Sequence, residues 1–226
     1  MEQTPFNISA DLLPPRTDPR CPLVLLLDTS GSMSGAPINE LQRGIEQLKI
    51  ELESDEMTKN RIEVCLITFG GEVTVHEFTD VEGFVVPNLI PNADTPMSQA
   101  ILTGLERLEI KKGEIRNSGI ALYRPWVFLI TDGAPTDSSD LWNKAKATIK
   151  EGEQSKKFLF YSVGVQNADM SKLSELSNQR PPLKLTGLKF SEFFKWLSSS
   201  LSNLAKSQPG EKIVLPALTN WTNIDA

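Results

Sequence analysis

The run Leu23-Val24-Leu25-Leu26-Leu27 is apolar at every position and stops abruptly at Asp28. A strand without polar alternation is one covered on both faces, as in a parallel sheet sandwiched by helices. Trp126-Val127-Phe128-Leu129-Ile130 repeats the pattern and ends in Thr131-Asp132-Gly133. Between these runs, Ile38, Leu41, Ile45, Leu48 and Leu52 recur at helical spacing behind Pro37 and predict an amphipathic helix to about Ser54. Arg61 to Phe69 reads as a second strand. Gly70-Gly71 turns it into Glu72 to Phe78, whose strict alternation places it antiparallel at the sheet edge. A further helix carries Met97, Ile101, Leu105 and Leu108, with Ile110 also assigned inward, and Lys111 to Asn117 reads as its frayed end and a loop.

After the second apolar run come a helix from about Ser138 to Gly152, a strand from Phe158 to Val165 and a short helix from Met170 to Leu176. A strand at Leu183 to Thr186 and a last helix with the stripe Phe190, Phe193, Phe194, Leu197, Leu201 and Leu204 complete the set. The stripe reads as core, and Trp196, off the stripe, is expected to meet the tail. Strands alternating with helices predict an α/β, doubly wound, mostly parallel six-stranded sheet with one antiparallel edge strand and helices on both faces. Residues 1–20, polar and proline-rich, read as an extended arm, 21–206 as the domain and 207–226 as a tail. In that tail Trp221 either packs back on the domain or anchors a partner.

Composition narrows the classes. The chain has 226 residues, a net charge of −6, 39% hydrophobic and 23% charged residues, which suits one globular α/β domain. The acidic balance argues against nucleic acid or an anionic membrane as the main partner. No run approaches the length of a membrane span, and the first twenty residues do not read as a secretory signal. Cys21 and Cys65 fall near or in predicted strands and read as buried free thiols, which fits a reducing cytoplasm.

The candidate chemistry lies where the first apolar run ends. Open α/β sheets hold ligands at the carboxyl ends of their strands. Asp28, Ser30 and Ser32 offer only hard oxygens there, a set that suits Mg²⁺ or Mn²⁺ and suits zinc poorly. His76 is the single histidine, assigned to the surface of the edge strand, and no G-x-S-x-G elbow is present, which argues against a hydrolase triad.

Asp28-x-Ser30-x-Ser32, Thr95 at the opening of a later helix, and Thr131-Asp132-Gly133 together resemble the metal-ion-dependent adhesion site (MIDAS) of von Willebrand factor A (VWA) domains. The resemblance covers roughly Pro22 to Lys206. Leu26-Leu27-Asp28-Thr29-Ser30-Gly31-Ser32-Met33, Phe128-Leu129-Ile130-Thr131-Asp132-Gly133 and Phe193-Phe194-Lys195-Trp196-Leu197-Ser198 are most similar to the bacterial tellurite-resistance-associated, TerY-like stand-alone VWA proteins. That resemblance implies a metal, Mg²⁺ or else Mn²⁺ or Ca²⁺, bound by Ser30, Ser32 and Thr95, with Asp28 and Asp132 mainly holding metal-bound waters. It further implies a non-enzymatic, cytoplasmic module that captures an acidic residue of a protein partner in stress-response or defence signalling, beside a kinase and a phosphatase.

The chain departs from the family at Asp94, where glycine commonly precedes the metal threonine. Asp94 is read three ways: as a cap of the helix near Met97, as added charge for the metal, or as a ligand in the partner's place. Asp137 and Asp140 read as a helix N-terminal charge and cap, or as a rim of the metal face. Two other functions remain open. One is a Mg²⁺-dependent phosphatase or phosphotransfer enzyme, although Ser30 stands where such enzymes have a second aspartate. The other is a scaffold whose metal site is structural or vacant, binding through its tail and edge strand.

Overall fold

The computed structural model describes residues 18–218 and 221–223. Most of the expected arm, at 1–17, and the tail positions 219–220 and 224–226 lie outside the described residues. In chain order the elements are β1 (Cys21–Asp28), α1 (Ala36–Ser54), α2 (Glu56–Arg61), β2 (Ile62–Gly70), β3 (Glu72–Asp80), α3 (Met97–Asn117) and β4 (Trp126–Thr131). They continue with α4 (Ser139–Gln154), β5 (Leu159–Gly164), α5 (Met170–Ser174), β6 (Leu183–Leu185), α6 (Phe190–Ala205) and β7 (Thr222–Asn223).

All of β1 is buried, as its unbroken apolar run requires. Leu23, Leu25 and Leu27 face the layer formed by α1 and α6, while Val24 and Leu26 face α3 and α4. The strand order is β3-β2-β1-β4-β5-β6-β7. β1 pairs in parallel with β2 and β4, β5 with β4 and β6, and β3 lies antiparallel at one edge. The expected six-stranded sheet is therefore present. At its other edge two residues of β7 add antiparallel to β6.

The β5 edge is closed by a side chain. β5 pairs with β6 only at Val163 and Gly164. Upstream, the Phe160 N–H donates to Glu153 Oε1 (3.3 Å), a buried carboxylate of α4 that also accepts from Ser177 Oγ and Arg180 Nη1, each at 2.5 Å. Three donors on one buried carboxylate offset its desolvation.

Two elements differ from the sequence pattern. α3 does not fray at Lys111 but runs to Asn117, with Lys112 and Ile115 buried and Ile110 exposed. Lys112 and Ile115 continue the 101-105-108 stripe at helical spacing, and Lys112 Nζ is neutralised by Glu109 at 2.6 Å. α2 is a short helix the apolar pattern does not signal; Asp55 caps it by accepting from the N–H groups of Met57 and Thr58.

The last aromatic stripe is core, as expected, and both cysteines are buried free thiols. Trp196 meets the tail: its Nε1 donates to the Pro216 carbonyl at 2.9 Å. Trp221 is 1% exposed and packs with ring centroids 5.0 Å from Phe193 and 5.4 Å from Trp196. Trp221→Ala is accordingly expected to cost about 3–5 kcal/mol, read as a lower urea midpoint. An unchanged midpoint would mean that the tail contributes nothing to the core.

Candidate metal centre

Asp28 is fully buried at the end of β1, and two elements satisfy it. The Ser30 N–H donates to Oδ1 (2.7 Å) and Thr131 Oγ1, from the end of β4, donates to Oδ2 (2.5 Å). Thr131 Oγ1 in turn accepts from the Gly133 N–H (3.1 Å). Burial pushes the Asp28 carboxyl above its usual range and the nearby Asp132 charge adds to this, against the hydrogen bonds from Ser30 and Thr131.

The hydroxyls of Ser30 and Ser32 link the two carboxylates. Ser32 Oγ donates to Asp132 Oδ1 (2.7 Å) and lies 3.1 Å from Ser30 Oγ. A hydroxyl has one proton, so Ser32 does not donate to Ser30, whose own proton goes to Ser32 or to the Asp28 carboxylate that it also faces. In either case Ser30 keeps both lone pairs free and Ser32 keeps at least one. Ser30 is buried and Ser32 exposed, so the cluster opens to solvent.

Thr95 joins the same cluster. It is buried, and a Cβ placed on Gly133 would lie 3.6 Å from Thr95 Oγ1 and 3.9 Å from Asp28 Oδ2. Its N–H donates to Thr136 Oγ1 and its carbonyl accepts from the Thr136 N–H, both at 3.0 Å. All five predicted site residues (Asp28, Ser30, Ser32, Thr95 and Asp132) thus converge at the carboxyl ends of β1 and β4. Sequence reasoning did not assign roles to Thr131 and Thr136, which orient Asp28 and Thr95. Thr131 was legible as the hydroxyl next to Asp132 on an aligned strand end; Thr136 carried no signal.

Backbone contacts lock three loops around the cluster. Thr29 donates to Phe69 O (2.9 Å), Asn92 to Thr29 O (2.8 Å), Gly31 to Ala93 O (3.0 Å) and Gly71 to Asp94 O (2.8 Å). The approach is close enough that a Cβ on Gly70 would sit 2.1 Å from the Thr29 carbonyl oxygen. Ala93 takes a left-handed φ of 39° to present its carbonyl to Gly31.

The structure corrects one reading of Asp94. Its side chain is exposed and does not cap α3. The carboxylate at that helix start is Asp137, which accepts from the Ser98 N–H. Asp137 therefore caps α3 rather than the helix that follows it, α4, whose cap is Ser138 accepting from the Leu141 N–H (3.3 Å). Asp140 supplies the acidic charge in the first turn of α4. His76 is half-buried on β3 and, with Glu72 and Thr74, lines a polar groove of about 410 Å³ that Thr29 and Asn92 border on the other side.

The donor set is three hydroxyls and two carboxylates. Among the described residues no group of three or more His, Cys, Asp or Glu side chains forms a metal cage. Hydroxyl oxygens with free lone pairs, backed by two carboxylates, fit a hard divalent ion that keeps several waters. They do not fit a thiolate or imidazole metal.

The model of the von Willebrand factor type A domain matches residues 23–185. The chain belongs to that family. VWA domains are in general non-enzymatic interaction modules, and many bind a divalent metal at a MIDAS site. None of the curated proteins compared with the chain matches it. Among solved structures, the pilus adhesin SpaC from Lactobacillus rhamnosus GG superposes with a TM-score of 0.66 at 15% identity, over 82% of this chain and 31% of that one. Proximal thread matrix protein 1 from the mussel byssus, with a zinc-occupied MIDAS motif, gives 0.54 at 13% identity over 82% and 48%. The SpRpn10 VWA domain gives 0.55 at 10% identity over 82% and 95%. The chain spans about a third to a half of the length of the first structures it matches. Among the described residues no helix of this VWA domain is long and apolar enough to cross a membrane.

Two outcomes follow from the geometry. Because the folded-state pKa of Asp28 is raised, its ionisation opposes folding; that penalty is absent below the usual carboxylate range and complete once pH exceeds the folded value. Stability of the metal-free protein should therefore fall as pH rises through and above the usual carboxylate range, and Asp28→Asn should flatten that part of the profile, in urea melts with EDTA. Gly70→Ala should destabilise by about 1–3 kcal/mol or more, because backbone rather than a flexible side chain must yield.

Proposed function

We propose that the Asp28 cluster is a MIDAS-type site through which this VWA domain captures an acidic residue of a protein partner. The observation that carries the reading is the Ser30, Ser32 and Asp132 cluster, in which Ser32 donates to Asp132 and the hydroxyls keep lone pairs beside a solvent-facing opening. Ser30, Ser32 and Thr95 would hold a Mg²⁺ ion, or Mn²⁺ or Ca²⁺, while Asp28 and Asp132 would hold its waters and supply charge. The bound ion supplies an electrophilic position, and neutral hydroxyl ligands leave that position available to a partner's carboxylate. Thr131 keeps Asp28 oriented, and Thr136 keeps Thr95 in place.

The reading is non-enzymatic. The single histidine lies on β3, and Ser30 stands where a phosphotransfer enzyme of this sheet type would carry its second aspartate. The resemblance of the three quoted segments to TerY-like proteins is what suggests a cytoplasmic stress-response or defence pathway with a kinase and phosphatase. Tellurite resistance belongs to the same proposal. It rests on those segments alone.

Calorimetric titration with Mg²⁺ and Mn²⁺ should show one site per chain, weakened about tenfold or more by Ser30→Ala or Asp132→Ala. Absence of binding to the folded wild type would overturn the metal reading. Capture from the native host, with Mg²⁺ and with EDTA, should retain a partner only on metal-loaded wild type and not on Asp28→Ala/Ser30→Ala. A partner indifferent to both changes would move the function to the tail or edge strand. Metal-dependent turnover of a phosphate ester, abolished by Asp28→Asn, would make the chain an enzyme.

A further inference from the structure

Away from the Asp28 cluster, at the β5–β6 edge, the fold forms a half-open cavity of about 630 Å³, the size of a small-molecule site. Its walls are Tyr161 of β5, Leu183 of β6, Met170 of α5, Trp196 of α6, and Leu215 and Leu218 of the segment that returns after α6. This last segment is pinned as a wall by the Trp196 Nε1 bond to the Pro216 carbonyl. The lining is thus aromatic and aliphatic on three sides, which is what the apolar body of a ligand requires and what a flat protein interface lacks.

Two cations interrupt that lining. Arg180 is fixed in place: Nη1 lies 2.5 Å from Glu153 Oε1 and the guanidinium carbon 5.3 Å from the Tyr161 ring centroid. The buried Glu153 carboxylate balances its charge, while the planar fork still carries further N–H donors. Lys184 is different. It is exposed, lines the same cavity and has no ion-pair partner among the described residues. In a chain of net charge −6 the unbalanced charge of this wall is positive, by one.

We propose that the cavity binds a small amphipathic monocarboxylate, with its apolar body against Trp196 and Tyr161 and its carboxylate against Lys184 and the remaining Arg180 donors. The site is independent of the metal centre: none of its lining residues belongs to the Asp28 cluster, and it uses a fixed apolar wall where the cluster uses hydroxyls.

The test uses decanoate and decanol as probes on the full chain in EDTA, so that no carboxylate can be held through a metal. Two-dimensional NMR should show saturable decanoate binding that moves the Trp196 indole N–H signal and leaves that of Trp142, which packs on the opposite face of the sheet, in place. Lys184→Glu, an exposed substitution, should weaken decanoate at least tenfold and leave decanol within about twofold, because only the charge contact is reversed. Failure to saturate, movement of Trp142 in place of Trp196, or equal affinity for decanoate in wild type and Lys184→Glu would each overturn the proposal. Loss of metal binding in the separate titration would leave it untouched.

Discussion

The carboxylate of Asp28 is buried at the end of the central strand, and burying a charge without partners is among the most expensive things a fold can do. Its two oxygens are served from separate parts of the chain: Oδ1 by the Ser30 N–H, Oδ2 by Thr131 Oγ1 across the β1–β4 pair. The parallel register that aligns Leu27 with Ile130 delivers Asp28 and Thr131 side by side. A slip of one residue would turn Thr131 to the other face of the sheet and strand the charge. The two most apolar strands thus fix the position of the most polar cluster, and the helical layers on both sides keep them in register.

The same constraint explains the loops. A buried carboxylate turns the chain sharply back through Ser30 and Gly31, so that the 29–32 loop lies against the β2–β3 hairpin and the 91–95 loop. There is no room between them for a Cβ at Gly70, and Ala93 tolerates a left-handed backbone to offer its carbonyl to Gly31. These contacts are backbone to backbone, so they hold the loops whatever side chains face solvent. The exposed side chains of Asp94 and Glu72 can then change without moving the hydroxyls.

What was legible in the sequence was what local pattern encodes. Uninterrupted apolar runs marked β1 and β4, strict alternation marked β3 as an edge, and the spacing Asp28-x-Ser30-x-Ser32 with Thr95 and Asp132 named residues that converge. The misses have two other causes. Lys112 is charged yet buried, because Glu109 one turn away neutralises it, so α3 outran its apolar signal. Asp137 caps a helix through the N–H of Ser98, thirty-nine residues earlier, and Thr136 holds a threonine forty-one residues earlier. The partners of Asp137 and Thr136 are set by tertiary approach, and no window of local sequence contains both members.

The Glu153 knot shows that the far edge of the sheet obeys the logic of the Asp28 centre with the opposite outcome. Both sites put a carboxylate in the protein interior at the end of a regular element, and both satisfy it with a backbone N–H and a hydroxyl. At Glu153 the third donor is the Arg180 guanidinium, so the charge is balanced within the chain and the site is closed. Around Asp28 no cation among the described residues takes that place: the neighbouring charge is a second carboxylate, Asp132, and the donors are neutral. A cluster of two carboxylates and hydroxyl oxygens beside a solvent opening, with no cation among the described residues to balance it, is electrostatically incomplete. A divalent cation is the simplest group of matching charge, size and ligand preference that would complete it.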